Sequence, residues 1–281
     1  MDAVKILDLK NDGKINMAVD GEYLYIRCLN AMYKYDAQNM RLAARNEIFK
    51  KDGKSRGFDI FGDLIFLKDF LDLYILRKDD LQMVDMVRLG ENLSSDVGGV
   101  MWFDAPNVYV KIRNGKIYNL NINTKEIVRH DVTDSSFWAY CIVDDKIYAG
   151  TVKGDLAEID KEILTVSRKI SLGRMNIYNV VYRDGLLYTL SQDTNIKVVD
   201  VSSFEIAATV RNAARGMSNL LGIYNNCLVV ADSGNISFWD TDGLKLREKF
   251  PFKSGWNNSG VRLFGNVLYG SDYNSIYRME L

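Results

Sequence analysis

The sequence predicts an all-β fold, a seven-bladed β-propeller of four-stranded antiparallel blades whose last blade is completed by the N-terminal strand. Three observations carry that expectation. An eight-residue phrase recurs seven times in 281 residues, its copies lie 39–43 residues apart, and the seventh copy ends one strand short while the chain begins with one strand to spare. A repeat of about 40–45 residues is the period of a four-stranded blade.

The phrase is an apolar residue, a turn pair, then an apolar–aromatic run. Three copies are Val19-Asp20-Gly21-Glu22-Tyr23-Leu24-Tyr25-Ile26, Ile142-Val143-Asp144-Asp145-Lys146-Ile147-Tyr148-Ala149 and Tyr182-Arg183-Asp184-Gly185-Leu186-Leu187-Tyr188-Thr189. The seventh residue of the phrase is, in turn, Tyr25, Phe66, Tyr109, Tyr148, Tyr188, Val229 and Tyr269. Pairs such as Asp-Gly tolerate the positive φ of a two-residue hairpin, so the phrase reads as strand a, tight turn, strand b. Strand c follows a second turn, as in 154–160, and ends on a polar residue. Asp36, Arg77, Asn121, Asp160, Asp200, Asp240 and Glu280 are equivalent there. Strand d is the outermost, as in 164–172. Strands b and c are apolar on both faces, as in sheets packed between two neighbours.

The units run about 15–50, 56–90, 99–132, 138–172, 178–211, 219–250 and 259–281, within one domain. The last has no strand d before Leu281. Residues 4–10, Val4-Lys5-Ile6-Leu7-Asp8-Leu9-Lys10, have strand-d character and are expected to supply it, which removes an exposed edge.

Composition narrows the function. With 47% hydrophobic and 26% charged residues the chain can build a packed core. Lys+Arg 36 against Asp+Glu 37 leaves no basic excess, so nucleic acid is not an expected partner. No apolar run approaches the roughly 20 residues that span a bilayer. Residues 1–10 carry charges every few positions in place of a signal peptide's apolar core. A cytoplasmic chain without a membrane partner is expected, monomeric outside a complex. Cys28, Cys141 and Cys227 are odd in number and far apart, with no C-x-x-C, and read as small strand residues.

The segments Leu120-Asn121-Ile122-Asn123-Thr124-Lys125-Glu126-Ile127, Val199-Asp200-Val201-Ser202-Ser203-Phe204-Glu205-Ile206 and Trp239-Asp240-Thr241-Asp242-Gly243-Leu244-Lys245-Leu246 look like a strand c, turn, strand d signature. Through them the whole chain resembles the WD40-like and PQQ-like (quinoprotein-type) propeller superfamily. That resemblance implies the fold and leaves the function open, because propellers host many unrelated activities. The calcium-binding carboxylates of the quinone-dependent dehydrogenases are not evident here, and no cofactor is expected.

Catalysis has little to draw on. His130 is the one histidine, near the end of a strand d, so a nucleophile relayed by histidine is poorly supported. The aligned first residues of strand a are Ile15, Arg56, Gly99, Trp138, Tyr178, Asn219 and Ser259, with no carboxylate and no histidine to hold a metal. No metal site is expected. The d–a and b–c connections share one rim, which is rich in aromatic and basic residues; the a–b turns of the opposite rim are acidic, much of which turn chemistry explains. Arg, Trp and Tyr are the types enriched in binding hot spots. The expected function is therefore a non-enzymatic scaffold that binds a protein or peptide through Arg56, Trp138, Tyr178, Arg215 and Trp256. The alternative is an enzyme of the propeller lyase, lactonase or quinoprotein kind, with a ligand or metal in the central channel.

Overall fold

A computed structural model describes residues 3–9, 15–28, 31–47, 57–69, 72–89, 101–216, 218–232, 234–251, 261–271 and 275–281. The chain forms two compact units. The first comprises Met1–Arg113, Ile117–His130 and Val267–Leu281, and the second Asn114–Lys116 and Asp131–Asn266. Among the described residues no helix is long and apolar enough to cross a membrane.

The secondary structure is almost wholly strand. After β1 (Val4–Asp8), the first unit holds the sheet β2 (Ile15–Asp20), β3 (Tyr23–Cys28), β4 (Ala31–Asp36), β5 (Leu42–Glu47). The next sheet is β6 (Phe58–Phe61), β7 (Leu64–Asp69), β8 (Asp72–Arg77), β9 (Met83–Arg88), and the third is β10 (Trp102–Asp104), β11 (Asn107–Ile112), β12 (Lys116–Asn121), β13 (Ile127–Asp131). The second unit holds β14 (Phe137–Val143), β15 (Lys146–Thr151), β16 (Asp155–Asp160), β17 (Val166–Ser171), then β18 (Ile177–Arg183), β19 (Leu186–Ser191), β20 (Ile196–Asp200), β21 (Glu205–Val210). It continues with β22 (Asn219–Tyr224), β23 (Cys227–Ala231), β24 (Asn235–Asp240), β25 (Leu246–Pro251) and β26 (Arg262–Phe264), before β27 (Val267–Ser271) and β28 (Ser275–Glu280) end the chain. There are seven four-stranded sheets, six in chain order and the last in the order β1-β28-β27-β26.

The N-terminal strand does complete the last sheet. β1 runs antiparallel to β28, with Val4 opposite Arg278, Lys5 opposite Tyr277, Leu7 opposite Ile276 and Asp8 opposite Ser275. The ladder is shorter than the expected 4–10: Leu9 lies beyond it, and Lys10 lies outside the described residues. The a–b hairpins are tight as their sequences require. Asp184 and Gly185 both take positive φ, as do Asn225 and Asn226, the requirement of a type I′ turn.

The polar residue that ends strand c organises the turn after it. The Asp36 carboxylate accepts the amides of Gln38 and Asn39, and Asn121, Asp160 and Asp200 do the same two and three residues on. Four residues after the cap the chain turns left-handed at Met40, Leu81, Lys125, Leu164, Phe204 and Leu244. Each of those amides donates back to the cap carbonyl. Non-glycine residues tolerate that conformation at a cost, offset here by burial of Leu81, Leu164 and Phe204.

Strands b and c form the core. β3, β15 and β19 are buried along nearly their whole length, and β23 entirely. In the first unit Phe66, Leu73, Val108, Val110 and Tyr118 share one apolar cluster. In the second, Tyr148, Leu156, Ile177, Val180 and Leu187 share another. Two residues past the strand-b aromatic, the first three repeats place Arg27, Lys68 and Lys111, all buried. Arg27 Nη1 donates to Lys68 O at 2.8 Å and to Gly57 O at 3.3 Å, and Lys68 Nζ donates to Lys111 O at 3.4 Å. Arg27 and Lys68 thus each reach the backbone of the following sheet.

Two expectations follow. Deleting residues 1–9 strips β28 of its ladder partner; the truncated protein should melt more than about 5 °C lower or aggregate, and an unchanged melting curve would refute the closure. The second concerns acid. Amides of Asn39 and Gln38 hold the Asp36 carboxyl below the usual range; bonds from Lys146 and from turn amides do so for Asp160, and bonds from Ser202 and Ser203 for Asp200. A depressed folded-state pKa stabilises the protein above the unfolded value near 4 and loses that contribution as pH falls through the folded value. Melting temperature should therefore decline steadily below about pH 4. Asp36→Ala should lower it at neutral pH, and Asp36→Asn should be tolerated because Asn121 makes the same turn.

Candidate functional site

The second unit places Trp138 and Tyr178 where the d–a and b–c connections lie. Each of the strands β14 and β18 is irregular near its first residue. Pairing with β15 skips from Phe137 to Ala139, and pairing with β19 skips from Ile177 to Asn179. The skipped residues are Trp138 and Tyr178. A bulge leaves one residue out of the ladder and re-aims its side chain. Phe137 and Ile177 are buried, at 2% and 0% exposure, while Trp138 is 42% exposed. The two displaced rings meet at 5.8 Å between centroids, tilted by 58°.

Packing beneath them fixes their place. Gly150, on β15, occupies the position of Arg27 in the first repeat. A Cβ there would lie 2.5 Å from Ile177 Cγ2 and 2.7 Å from Ile177 Cβ. The missing side chain lets Ile177 seat against β15, which sets where Tyr178 emerges. Beside the rings, Asn179 Nδ2 donates to Asn219 Oδ1 at 2.6 Å, and Asn179 Oδ1 accepts from the Leu220 amide at 2.9 Å. This amide pair ties β18 to β22. Met175, in the connection leading into β18, is 49% exposed.

Arg215 lies on the next d–a connection, exposed. Its loop is anchored: the Ala213 amide donates to Thr194 O at 2.9 Å, the Asn212 amide to Asn195 Oδ1 at 3.0 Å, and the Arg215 amide to Asp232 Oδ2 at 3.2 Å. The structure thus brings Trp138 and Tyr178 into contact and places Arg215 at the same end of its own sheet. Arg56 and Trp256 lie outside the described residues.

The charges at this end are unequally spent. Lys153 Nζ is 2.8 Å from Asp134, and Lys169 is 2.9 Å from Asp155 and 3.8 Å from Asp134. The bond from Lys153 holds the Asp134 carboxyl below its ordinary value, and the bond to Asp155 raises Lys169. Asp193 accepts from Ser191 and Asn195, and Asp232, 2% exposed, accepts from Asn235 and lies 3.5 Å from Lys249. These carboxylates are engaged. The guanidinium groups of Arg174, Arg211 and Arg215 have no carboxylate partner among the described residues.

Residues that carry chemistry elsewhere are scattered. His130 is half-buried on edge strand β13. Cys28 and Cys227 are buried thiols outside any disulfide, and burial pushes the Cys141 thiol up to about 12. Among the described residues no three His, Cys, Asp or Glu side chains gather as a metal site would require. The sequence reading missed the Asn179–Asn219 pair. Its signal was an asparagine at or next to the aligned start of strand a in two successive repeats.

No protein-family model matches the sequence, and no curated protein matches it. Solved structures do. The Cps50 (Swd1) β-propeller domain of Myceliophteria thermophila superposes with a TM-score of 0.72 at 12% identity over 100% of both chains. BamB from Moraxella catarrhalis gives 0.68 at 15% identity, covering 96% of this chain and 85% of its own. The computationally designed Ika8 protein gives 0.69 at 12% identity over 99% of both. At such identities the likeness concerns the fold alone. Together with seven four-stranded antiparallel sheets, the last closed by β1, it makes the chain a seven-bladed β-propeller.

Gly150→Ala should disturb the site from below. Forcing a methyl into the Ile177 contact should cost about 1–3 kcal/mol in urea denaturation, and a variant as stable as the parent would show slack at that contact.

Proposed function

We propose that the chain is a non-enzymatic scaffold that captures a protein or peptide segment at the d–a and b–c end of the second unit. The observation that carries this reading is the Trp138–Tyr178 pair, lifted out of two ladders by bulges at the end whose connections also carry Arg174, Arg211 and Arg215. Large rings offer contact area at little entropic cost, and a guanidinium recognises carboxylate through two parallel hydrogen bonds. A segment with an apolar anchor and flanking carboxylates fits such a surface. The cytoplasm remains the proposed compartment.

The test compares what immobilised protein retains with what its variants retain, alongside circular dichroism to exclude unfolding. Trp138→Ala and Arg215→Ala should each weaken capture at least about tenfold, a loss of roughly 1.4 kcal/mol or more. Asp145→Ala, in an a–b turn, should leave capture unchanged. Loss of capture by Asp145→Ala with retention by the other two would place binding on the opposite end.

A further inference from the structure

The repeat allows one seam between sheets to be compared with another inside the same molecule. In the second unit the turn after β20 offers two carbonyls, Val201 O and Ser202 O. Arg168 reaches both from β17, at 2.8 and 3.0 Å. Its guanidinium also binds the Glu158 carboxylate, with Nε to Oε1 at 3.1 Å, and lies 4.7 Å from the Phe204 ring centroid. The seam is filled by an arginine.

The equivalent seam in the first unit is built differently. Its two carbonyls are Lys78 O and Asp79 O. Tyr25 Oη donates to the first at 3.3 Å and Lys34 Nζ to the second at 3.0 Å. Lys34 stands where Glu158 stands in the fourth repeat, opposite the strand-b tyrosine. Opposite Lys34 on strand d is Ala44, as Arg168 is opposite Glu158. Ala44 cannot reach across, and a cavity of about 650 Å³ remains open at this seam.

The charge around that cavity is not balanced. Asp20 is taken by Lys78 at 2.7 Å. Arg77 lies 3.8 Å from Asp79 and is bound more closely by Asp80, at 2.5 Å. Glu22 and Asp63, contributed by the a–b turns of the two adjoining sheets, have no side-chain partner among the described residues. The aromatic wall already accepts a cation: Lys34 Nζ sits 4.0 Å from the Tyr23 ring centroid. Turn chemistry accounts for an acid in each turn, but not for the void that Glu22 and Asp63 border.

We infer that this cleft is a second binding site, which takes an arginine side chain presented by a partner. Glu22 and Asp63 receive the guanidinium at the mouth. Its stem lies along Tyr23, and Lys34 closes the floor against deeper entry by charge. Guanidinium is favoured over ammonium because its planar fork bridges two acceptors, as Arg168 does in the sister seam. The site lies at a–b turns of the first unit and shares no residue with the Trp138 and Tyr178 surface of the second, so it stands or falls apart from the function proposed above.

The probe is Nα-acetyl-argininamide, titrated into the full-length protein and followed by amide chemical shifts. Its neutral isostere, Nα-acetyl-citrullinamide, is the control. Perturbations should centre on residues 20–25, 63 and 77–79, with the citrulline compound at least about fivefold weaker. The double variant Glu22→Gln/Asp63→Asn should also bind at least about fivefold more weakly at an unchanged melting temperature. A second variant, Lys34→Glu/Ala44→Arg, copies the Glu158–Arg168 pair into the cleft and should abolish the perturbations while the fold survives. Equal binding of the two probes, wild-type titration by the carboxylate variant, or no response at these amides up to about 50 mM would each overturn the inference.

Discussion

Strands β3, β15, β19 and β23 present almost no surface to water on either face, so each sheet buries itself only against neighbouring sheets. No repeat can be stable alone. Every polar group carried into a seam must also find a partner there, because an unpaired buried donor or acceptor costs about 1–3 kcal/mol. One recurring device meets part of that demand: a side chain from one sheet caps backbone carbonyls of the next. Arg27 does so for Lys68 O, Tyr25 for Lys78 O, and Arg168 for Val201 O. The device aligns successive sheets through hydrogen bonds as well as through apolar area.

The same repeat position is spent differently in the two units. Two residues past the strand-b aromatic, the first unit places long cations, of which Arg27 and Lys68 extend to the following sheet. The second unit places Gly150, Leu190 and Ala231. Short or apolar residues let the next sheet approach closely, and at Gly150 that approach seats Ile177 and so presents Tyr178. A buried cation at position 150 would occupy the space that Ile177 fills. The aromatic pair thus depends on a glycine that touches neither ring.

The repeat itself was legible because its cause is local. A hairpin favours particular turn pairs, strand b carries an aromatic in six of the seven repeats, and strand c mostly ends on a cap whose side chain binds the following amides; each leaves a residue at a fixed offset. Closure by the N-terminal strand was legible by counting strands, though not the early end of its ladder at Asp8. The bulges at Trp138 and Tyr178 were not legible. One residue slipping out of a ladder leaves the apolar pattern intact, and whether it slips depends on packing against β15 and β19. Nor could the sequence separate spent from unspent charge. Asp134 is engaged by Lys153, on the following b–c turn, and by Lys169, on β17, contacts that no spacing rule anticipates.

That last distinction decides what acidic and basic residues mean in this chain. Asp155, Asp193 and Asp232 look like a ring of acid near the aromatic pair, yet each is bound by its own sheet or by the turn beside it. The arginines among them are what face outward with charge to spare. At the other end the a–b turns are acidic for reasons of turn geometry, and part of that charge is spent as well: Asp20 on Lys78, Asp145 on Lys146, Asp184 on Arg183. Glu22 and Asp63 differ in that they border an open cavity between two sheets. In a fold made of one repeat, recognition arises where a repeat position departs from its sisters and the charge or space it would have consumed is left over.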